Sequence, residues 1–101
     1  MRMMVFFDLP TTSKEERRHA TQFRNALIND GYYMMQWSVY SRICKGTAQV
    51  DKHSERLKAF IPPNGSVRLM TVTEKQFAGM DILVGHPTKP EKFGAKQLLM
   101  F

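Results

Sequence analysis

The sequence predicts an α+β fold in which an antiparallel sheet carries helices on one face. Strand-like and helix-like segments alternate along the chain in the order β-α-β-β-α-β, followed by shorter segments. This order is that of the ferredoxin-like arrangement. With 101 residues, the chain can form a single hydrophobic core but not two.

The first strand is predicted at residues 3–7, where five apolar residues follow one another. An uninterrupted apolar run is typical of a strand that is buried on both faces. Leu9 and Pro10 end the strand, because proline cannot donate to a sheet ladder and restricts the residue before it. Asp8 is therefore expected at the rim of the sheet, beside solvent.

The first helix is predicted over residues 13–30. Ser13 and Glu16 have the spacing of a capping box, which satisfies two free backbone N–H groups at a helix start. Gly31 follows at the position where a left-handed residue commonly ends a helix. The apolar stripe, at spacings of three and four, consists of Ala20, Phe23 and Leu27.

Residues 32–44 are rich in aromatic and β-branched side chains, which favour strands. The segment exceeds the usual strand length of about five or six residues. We therefore predict two strands joined by a bend near Trp37 and Ser38. A second helix is predicted over residues 48–60. Its apolar side is Val50, Leu57 and either Ala59 or Phe60, and its solvent side is His53 and Arg56.

The remaining segments are shorter. A strand over residues 66–73 is expected to bury Val67, Leu69 or Met70, and Val72. A brief helix at 73–79, a short strand at 80–85, a loop at 86–95 and an apolar strand at 97–101 follow. We divide the chain into a ferredoxin-like domain, 1–85, and a loop and strand, 86–101, involved in subunit contacts. Because the sheet face without helices is still largely apolar, a two-fold homodimer is expected to cover it.

The composition favours a polyanionic partner. The chain has 15 Lys and Arg residues against 9 Asp and Glu, a net charge of +6. Such a surplus suits nucleic acid first and an anionic membrane surface second. No run approaches the length of a membrane span. The single cysteine, Cys44, excludes an internal disulfide framework and a thiolate-rich metal site, and favours a cytoplasmic location.

Few residues could carry chemistry. We interpret the three histidines as surface residues and Cys44 as a buried, inert thiol. Asp8 is either a structural acid or a metal ligand, and one carboxylate is too little to hold Mg²⁺. Two copies of Asp8 brought together by a dimer axis would form a ligand pair. Arg17 and Arg24 share one flank of the first helix, as a row of phosphate contacts or as an ordinary solvated face.

Several motifs together resemble one known family over residues 3–85. They are Phe7-Asp8-Leu9-Pro10, Glu16-Arg17-Arg18, Phe23-Arg24, Gly31, Gln36-Trp37-Ser38-Val39-Tyr40 and residues 69–77. This set resembles CRISPR-associated protein 2, the small subunit of the spacer-acquisition complex. The last two segments resemble the variants of type II systems.

The resemblance implies a ferredoxin-like homodimer in which Asp8 faces its symmetry mate. It implies an Mg²⁺- or Mn²⁺-dependent endonuclease acting on RNA or double-stranded DNA, with Asp8 as catalytic residue and metal ligand. It also implies a role in spacer acquisition, in which the dimer bridges the integrase CRISPR-associated protein 1 and Asp8 can be dispensable. The expected nucleic-acid contacts are Arg17, Arg18, Arg42, Lys14 and Lys45.

Three hypotheses follow. The first is a dimeric scaffold that holds duplex DNA for the integrase, which we favour, with endonuclease activity at Asp8 as an addition. The second is a stand-alone metal-dependent nuclease. The third is a ferredoxin-like RNA-binding domain or toxin-type ribonuclease with no CRISPR role, for which Tyr33, Trp37 and Phe6 would supply exposed aromatic rings.

Overall fold

The computed structural model describes residues 1–89 and 91. Within them lie four strands and three helices. The strands are β1 (Arg2–Asp8), β2 (Tyr33–Gln36), β3 (Val39–Ile43) and β4 (Ser66–Val72), and the helices are α1 (Lys14–Asn29), α2 (Thr47–Ala59) and α3 (Glu74–Ala78). The strands form one antiparallel sheet in the order β2-β3-β1-β4. The predicted ferredoxin-like order is confirmed.

β1 is an inner strand of this sheet. It pairs with β3 on one side, Phe6 lying opposite Val39, and with β4 along its whole length on the other. Met3 and Val5 are fully buried. The apolar run thus forms the predicted central strand, and Asp8 stands exposed at its end.

One sheet face packs against α1 and α2 and contains the core. Every second residue of β1 points to it, and Phe7 meets Phe23 of α1 edge-to-face with ring centroids 5.1 Å apart. The buried residues of this cluster are Met3, Val5, Phe7, Phe23, Leu27, Tyr32, Tyr40, Cys44 and Leu57. The predicted stripe of α1 and the predicted burial of Cys44 are confirmed.

The predicted start of α1 is also confirmed. The Glu16 N–H donates to Ser13 Oγ at 3.0 Å, and the Ser13 N–H donates to Glu16 Oε1 at 2.8 Å. The bend between β2 and β3 falls at Trp37 and Ser38, and Ser38 has a φ of 64°. These features depend on neighbouring residues only, which is why the local pattern predicts them.

The opposite sheet face, which we call the open face, carries the other half of β1: Arg2, Met4, Phe6 and Asp8. It is covered at the Arg2 end and accessible at the Asp8 end. Arg2 is 0% exposed, whereas Phe6 is half-buried and Asp8 is exposed. The two ends of one strand therefore lie in different environments.

α3 covers the Arg2 end through a polar contact. Arg2 Nε donates to both carboxylate oxygens of Glu74, at 2.9 and 3.1 Å, and Nη1 donates to the Tyr33 hydroxyl at 2.6 Å. The guanidinium also lies 4.1 Å from the centre of the Phe77 ring. Nη2 donates to the Glu91 carbonyl at 3.4 Å, so the chain after residue 85 contacts the sheet at this point.

Two predictions for the second half of the chain are wrong. Residues 80–85 form no strand, and Leu83 and Val84 are 91% and 95% exposed, because no described strand pairs with this segment. In β4, Leu69 and Met70 are exposed rather than buried, while Val67 and Val72 are half-buried. β4 lies at the sheet edge, where fewer elements pack against it.

The interpretation of His53 as a surface residue is also wrong. The side chain is buried between α2 and the end of α1, and its Nδ1 lies 2.8 Å from Asp30 Oδ2. Arg56 Nη2 lies 2.9 Å from the other oxygen, as an ion pair whose angle does not satisfy a hydrogen bond. The Asp30 carboxylate explains why a histidine is tolerated there. The strand predicted at 97–101 lies outside the described residues.

Candidate metal and nucleic-acid site

Asp8 stands at the rim of the open face. It pairs with Ser66 of β4, and alternation along β1 places its side chain on the open face. Arg68 of β4 is paired with Phe6, so it is a diagonal neighbour of Asp8 on the same face, and it is exposed. Arg68 cannot be identified as a site residue from the sequence, because its position beside Asp8 follows from the pairing register of two distant strands.

The backbone that carries Asp8 is held from both sides. Gly65 has a φ of +102°, and a Cβ atom there would lie 2.7 Å from the Asp8 carbonyl oxygen and 2.9 Å from Leu9 Cδ2. Only glycine combines this φ with so close an approach. On the other side, the Phe7 N–H donates to the Ser38 carbonyl at 3.1 Å. The rim is therefore a rigid support for the carboxylate.

Basic residues at the start of α1 lie next along the chain. Arg17 Nη1 donates to the carbonyls of Thr11 and Thr12, at 3.1 Å each, which ties the helix start to the loop after Asp8. Arg18 Nη2 lies 3.7 Å from Glu15 Oε1 in an exposed pair. A shallow depression of about 700 Å³ in this surface is lined by Lys14, Glu15, Arg17, Arg18, Thr21 and Gln22.

Arg42 and Lys45, the other predicted nucleic-acid contacts, lie at the opposite end of the sheet. β3 runs antiparallel to β1, so its last residues lie near Arg2 and not near Asp8. Arg42 is half-buried, donates to the Asp30 carbonyl, and places Nη1 3.0 Å from His53 Nδ1. The structure thus brings Lys14, Arg17 and Arg18 together and separates them from Arg42 and Lys45. The role of each in binding stays a prediction.

The cluster around Asp30 also affects the pKa of Tyr32. Tyr32 is buried beside it, with the Arg42 guanidinium 5.9 Å from the ring centre. Burial, and secondly the negative charge of Asp30, raises the pKa of Tyr32 to about 12. This cluster is remote from Asp8 and stabilises the junction of α1, α2 and β3.

A single chain offers little for a metal ion. In the part of the chain that the structure describes, no group of three or more His, Cys, Asp or Glu residues is placed to hold one. The exposed Asp8 carboxylate supplies hard oxygen ligands of the kind that Mg²⁺ and Mn²⁺ prefer. The donor type fits these cations, and further ligands would have to come from outside one chain.

No described helix is long and apolar enough to cross a membrane.

The fold and the site define a ferredoxin-like α+β protein with an exposed acid at the end of an inner strand and a basic helix start that follows a few residues further along the chain.

Comparison with known proteins assigns the family. Residues 1–80 match the family model of CRISPR associated protein Cas2. The chain is 57% identical to the CRISPR-associated endoribonuclease Cas2 of Acidovorax ebreus over 102 residues, covering 100% of both chains. It is 49% identical to that of Campylobacter jejuni over 85 residues, covering 84% of this chain and 59% of the relative. The chain belongs to the Cas2 family, which confirms the resemblance to CRISPR-associated protein 2. The likeness to the variants of type II systems stays a prediction.

A solved structure supports the fold. The crystal structure of Streptococcus pyogenes Cas2 at pH 6.5 matches with a TM-score of 0.64 and 19% sequence identity, covering 83% of this chain and 100% of that chain. At this identity the likeness concerns the fold alone.

Proposed function

We propose that this chain is a CRISPR adaptation protein that acts in the cytoplasm as a two-fold dimer, binds duplex DNA and bridges the CRISPR-associated protein 1 integrase. We further propose that the dimer hydrolyses phosphodiester bonds in RNA or DNA with Mg²⁺ or Mn²⁺ at paired Asp8 residues. The observation that carries the proposal is the exposed Asp8 on a rigid rim, with Lys14, Arg17 and Arg18 at the adjacent helix start.

The exposed apolar surface supports the dimer. Met70 on the open face is 48% exposed, and Phe6 beside it is only half-buried. Residues 82–84 form a second exposed apolar run, and no strand among the described residues pairs with the outer edge of β4. A second copy would remove these surfaces from water and protect the edge. A two-fold axis across the open face would also bring two Asp8 carboxylates together.

Different residues of the chain would have different roles in the proposed reaction. Asp8 would hold the cation, which when bound polarises a phosphate oxygen and supplies a water of lowered pKa. Lys14, Arg17 and Arg18 would bind flanking phosphates and fix the substrate. The Gly65 turn and the Ser38 carbonyl would keep the Asp8 backbone from moving as charge develops. The rigid rim would thus hold each Asp8 carboxylate in a fixed position for the cation.

The test of hydrolysis is a cleavage assay on the purified protein with Asp8→Asn, which keeps the shape of the side chain but removes its charge. Single-stranded RNA and double-stranded DNA are each incubated with Mg²⁺, Mn²⁺ or EDTA. Asp51→Asn, at an exposed position of α2, is the matched control. We expect cleavage by the wild type and by Asp51→Asn, and none by Asp8→Asn or in EDTA. Metal-independent cleavage that survives in Asp8→Asn would refute a metal site at Asp8.

Binding is tested separately, by measuring affinity for duplex DNA across a salt series. Three cationic residues per chain, or six per dimer, predict a slope of log K against log salt of roughly −5. Arg18→Ala is expected to reduce the slope by about 2 per dimer, whereas Lys52→Ala on α2 leaves it unchanged. Binding with a steep salt dependence but no cleavage would support the role as a DNA scaffold and refute the nuclease activity. Absence of binding to any nucleic acid would refute both parts.

A further inference from the structure

Trp37 is 75% exposed at the turn between β2 and β3, although tryptophan is among the residues that gain most from burial. Ser38, the next residue, has a φ of 64°, which is uncommon for a residue other than glycine. The turn is therefore well defined and displays a large aromatic ring to solvent. It is also the chain's single tryptophan. The core of the protein does not use this ring.

α1 holds the ring from one side. The guanidinium carbon of Arg24 lies over the Trp37 ring, 5.7 Å from its centroid, within the range of a cation–π contact. Arg24 is half-buried, so its position is set by the helix. An accessible aromatic face beside a guanidinium is the combination that proteins use to stack unpaired nucleobases and to attract the adjoining phosphates.

The turn lies at the same end of the sheet as Asp8. The Ser38 carbonyl accepts the N–H of Phe7, the residue before Asp8, at 3.1 Å. Val39, which begins β3, pairs with Phe6. A nucleotide stacked on Trp37 would therefore lie at the Asp8 end of the sheet, on the side of α1, whereas the Asp8 side chain is on the open face.

We propose that Trp37 and Arg24 form a subsite for an unpaired nucleobase, at the same end of the molecule as the proposed contacts of Asp8 and α1 with the nucleic-acid backbone. The ligand is a single-stranded segment, either an RNA strand or the unpaired end of a DNA duplex. A base inside a duplex is stacked on both faces and cannot use the ring. The subsite rests on the proposed nucleic-acid binding, and it extends that function from phosphate contacts to base recognition.

Intrinsic fluorescence tests the subsite directly, because all tryptophan emission comes from Trp37. The wild-type protein is titrated with a short single-stranded RNA, the same DNA sequence, its blunt duplex, and an abasic strand of equal length. We expect saturable quenching by at least one of the two single strands and none by the duplex or the abasic strand. The arm that quenches identifies the source of the base.

Variants measure the contribution to affinity. Trp37→Ala is expected to weaken single-strand binding about 5- to 150-fold, the range for one stacked base. Trp37→Phe should retain part of the affinity, and Arg24→Gln should reduce it. Met34→Ala is the matched control, since Met34 is 49% exposed on the neighbouring strand and is not part of the subsite. Unchanged thermal unfolding of each variant shows that the fold is intact.

The outcomes distinguish the subsite from the proposed function. Equal quenching by the abasic strand would mean that only phosphates approach the ring. Steep, salt-dependent binding without quenching would refute the subsite and leave the proposed function standing. Quenching by the purified integrase alone, with Trp37→Ala abolishing that complex and not single-strand binding, would assign the ring to a protein interface. Base-dependent quenching without cleavage at Asp8 would support the subsite and remove the nuclease.

Discussion

Replacing Gly65 by alanine tests whether the turn before β4 holds the strand end that carries Asp8. Its φ of +102° is strained for any L-residue with a side chain, at a cost of about 1–3 kcal/mol. The added Cβ would also lie 2.7 Å from the Asp8 carbonyl oxygen and 2.9 Å from Leu9 Cδ2. Forcing a methyl group into a packed contact costs about 1–3 kcal/mol more. The sum is about 2–6 kcal/mol.

The contact at Gly65 cannot be relieved cheaply, because its nearest atom belongs to the backbone of β1. Gly85 provides a matched control: its φ is +105°, but no atom of the described residues lies within 4 Å of the added Cβ. Gly31 is intermediate, with a φ of +92° and the mobile end of Arg42 at 3.0 Å. We therefore expect the largest loss of stability for Gly65→Ala, a smaller one for Gly31→Ala and the smallest for Gly85→Ala.

The assay is urea unfolding of the Gly65, Gly31 and Gly85 variants at one fixed protein concentration, since association would otherwise shift the midpoint. In a parallel thermal scan, each kcal/mol lost should lower the unfolding temperature by roughly 4–8 °C in a domain of this size. Stabilities of Gly65→Ala and Gly85→Ala that agree within about 0.5 kcal/mol would refute the close approach. If the methyl group displaces the Asp8 backbone, any cleavage at Asp8 should fall as well.

Two further predictions concern buried polar groups. Arg2→Met should destabilise the protein by about 3 kcal/mol, the lower end for breaking a buried ion pair, because Glu74 keeps some contact with solvent. In a double-mutant cycle with Glu74→Gln, measured by urea unfolding, a coupling energy near zero would contradict the pairing. Tyr32 has its pKa raised to about 12, so the unfolded chain loses this proton first as the pH rises above about 10. Wild-type stability should therefore fall relative to Tyr32→Phe by roughly 2 kcal/mol between pH 10 and 12, and parallel curves would show that the burial of Tyr32 has no such effect.

The sequence predicts the parts of the fold that depend on near neighbours. The capping box at Ser13 and the apolar stripe of α1 both repeat within a few residues, so their pattern is visible without a structure. β1 is equally clear, because an apolar run ended by proline has few alternatives. These patterns alone predict Asp8 at the rim of the sheet, and the structure confirms that position.

Contacts between distant segments are what the sequence does not reveal. Arg2 precedes an apolar run and looks like an exposed terminal residue, yet it is buried against Glu74, 72 positions away. His53 looks like a solvent-facing helical residue until Asp30 is placed beside it. Leu69 shows the opposite error: the sequence predicts burial, but an apolar residue in an edge strand stays exposed without a partner. Burial in each case depends on what tertiary pairing brings near.

The two ends of β1 show where stability and function separate in this protein. At one end, a full positive charge, Arg2, is taken out of water and satisfied by a carboxylate, a hydroxyl and an aromatic ring. At the other end, Asp8 and Trp37 remain in water on backbone that is tightly fixed. The complete pairing of the buried Arg2 guanidinium shows that this fold can bury a demanding side chain, so an inability to bury large groups does not explain the exposure of Trp37. A rigid backbone also gives no benefit to a side chain that simply remains in solvent. Fixed backbone under exposed groups is the arrangement expected where a ligand must be met without further ordering, and it places the functional edge of the molecule at the Asp8 end.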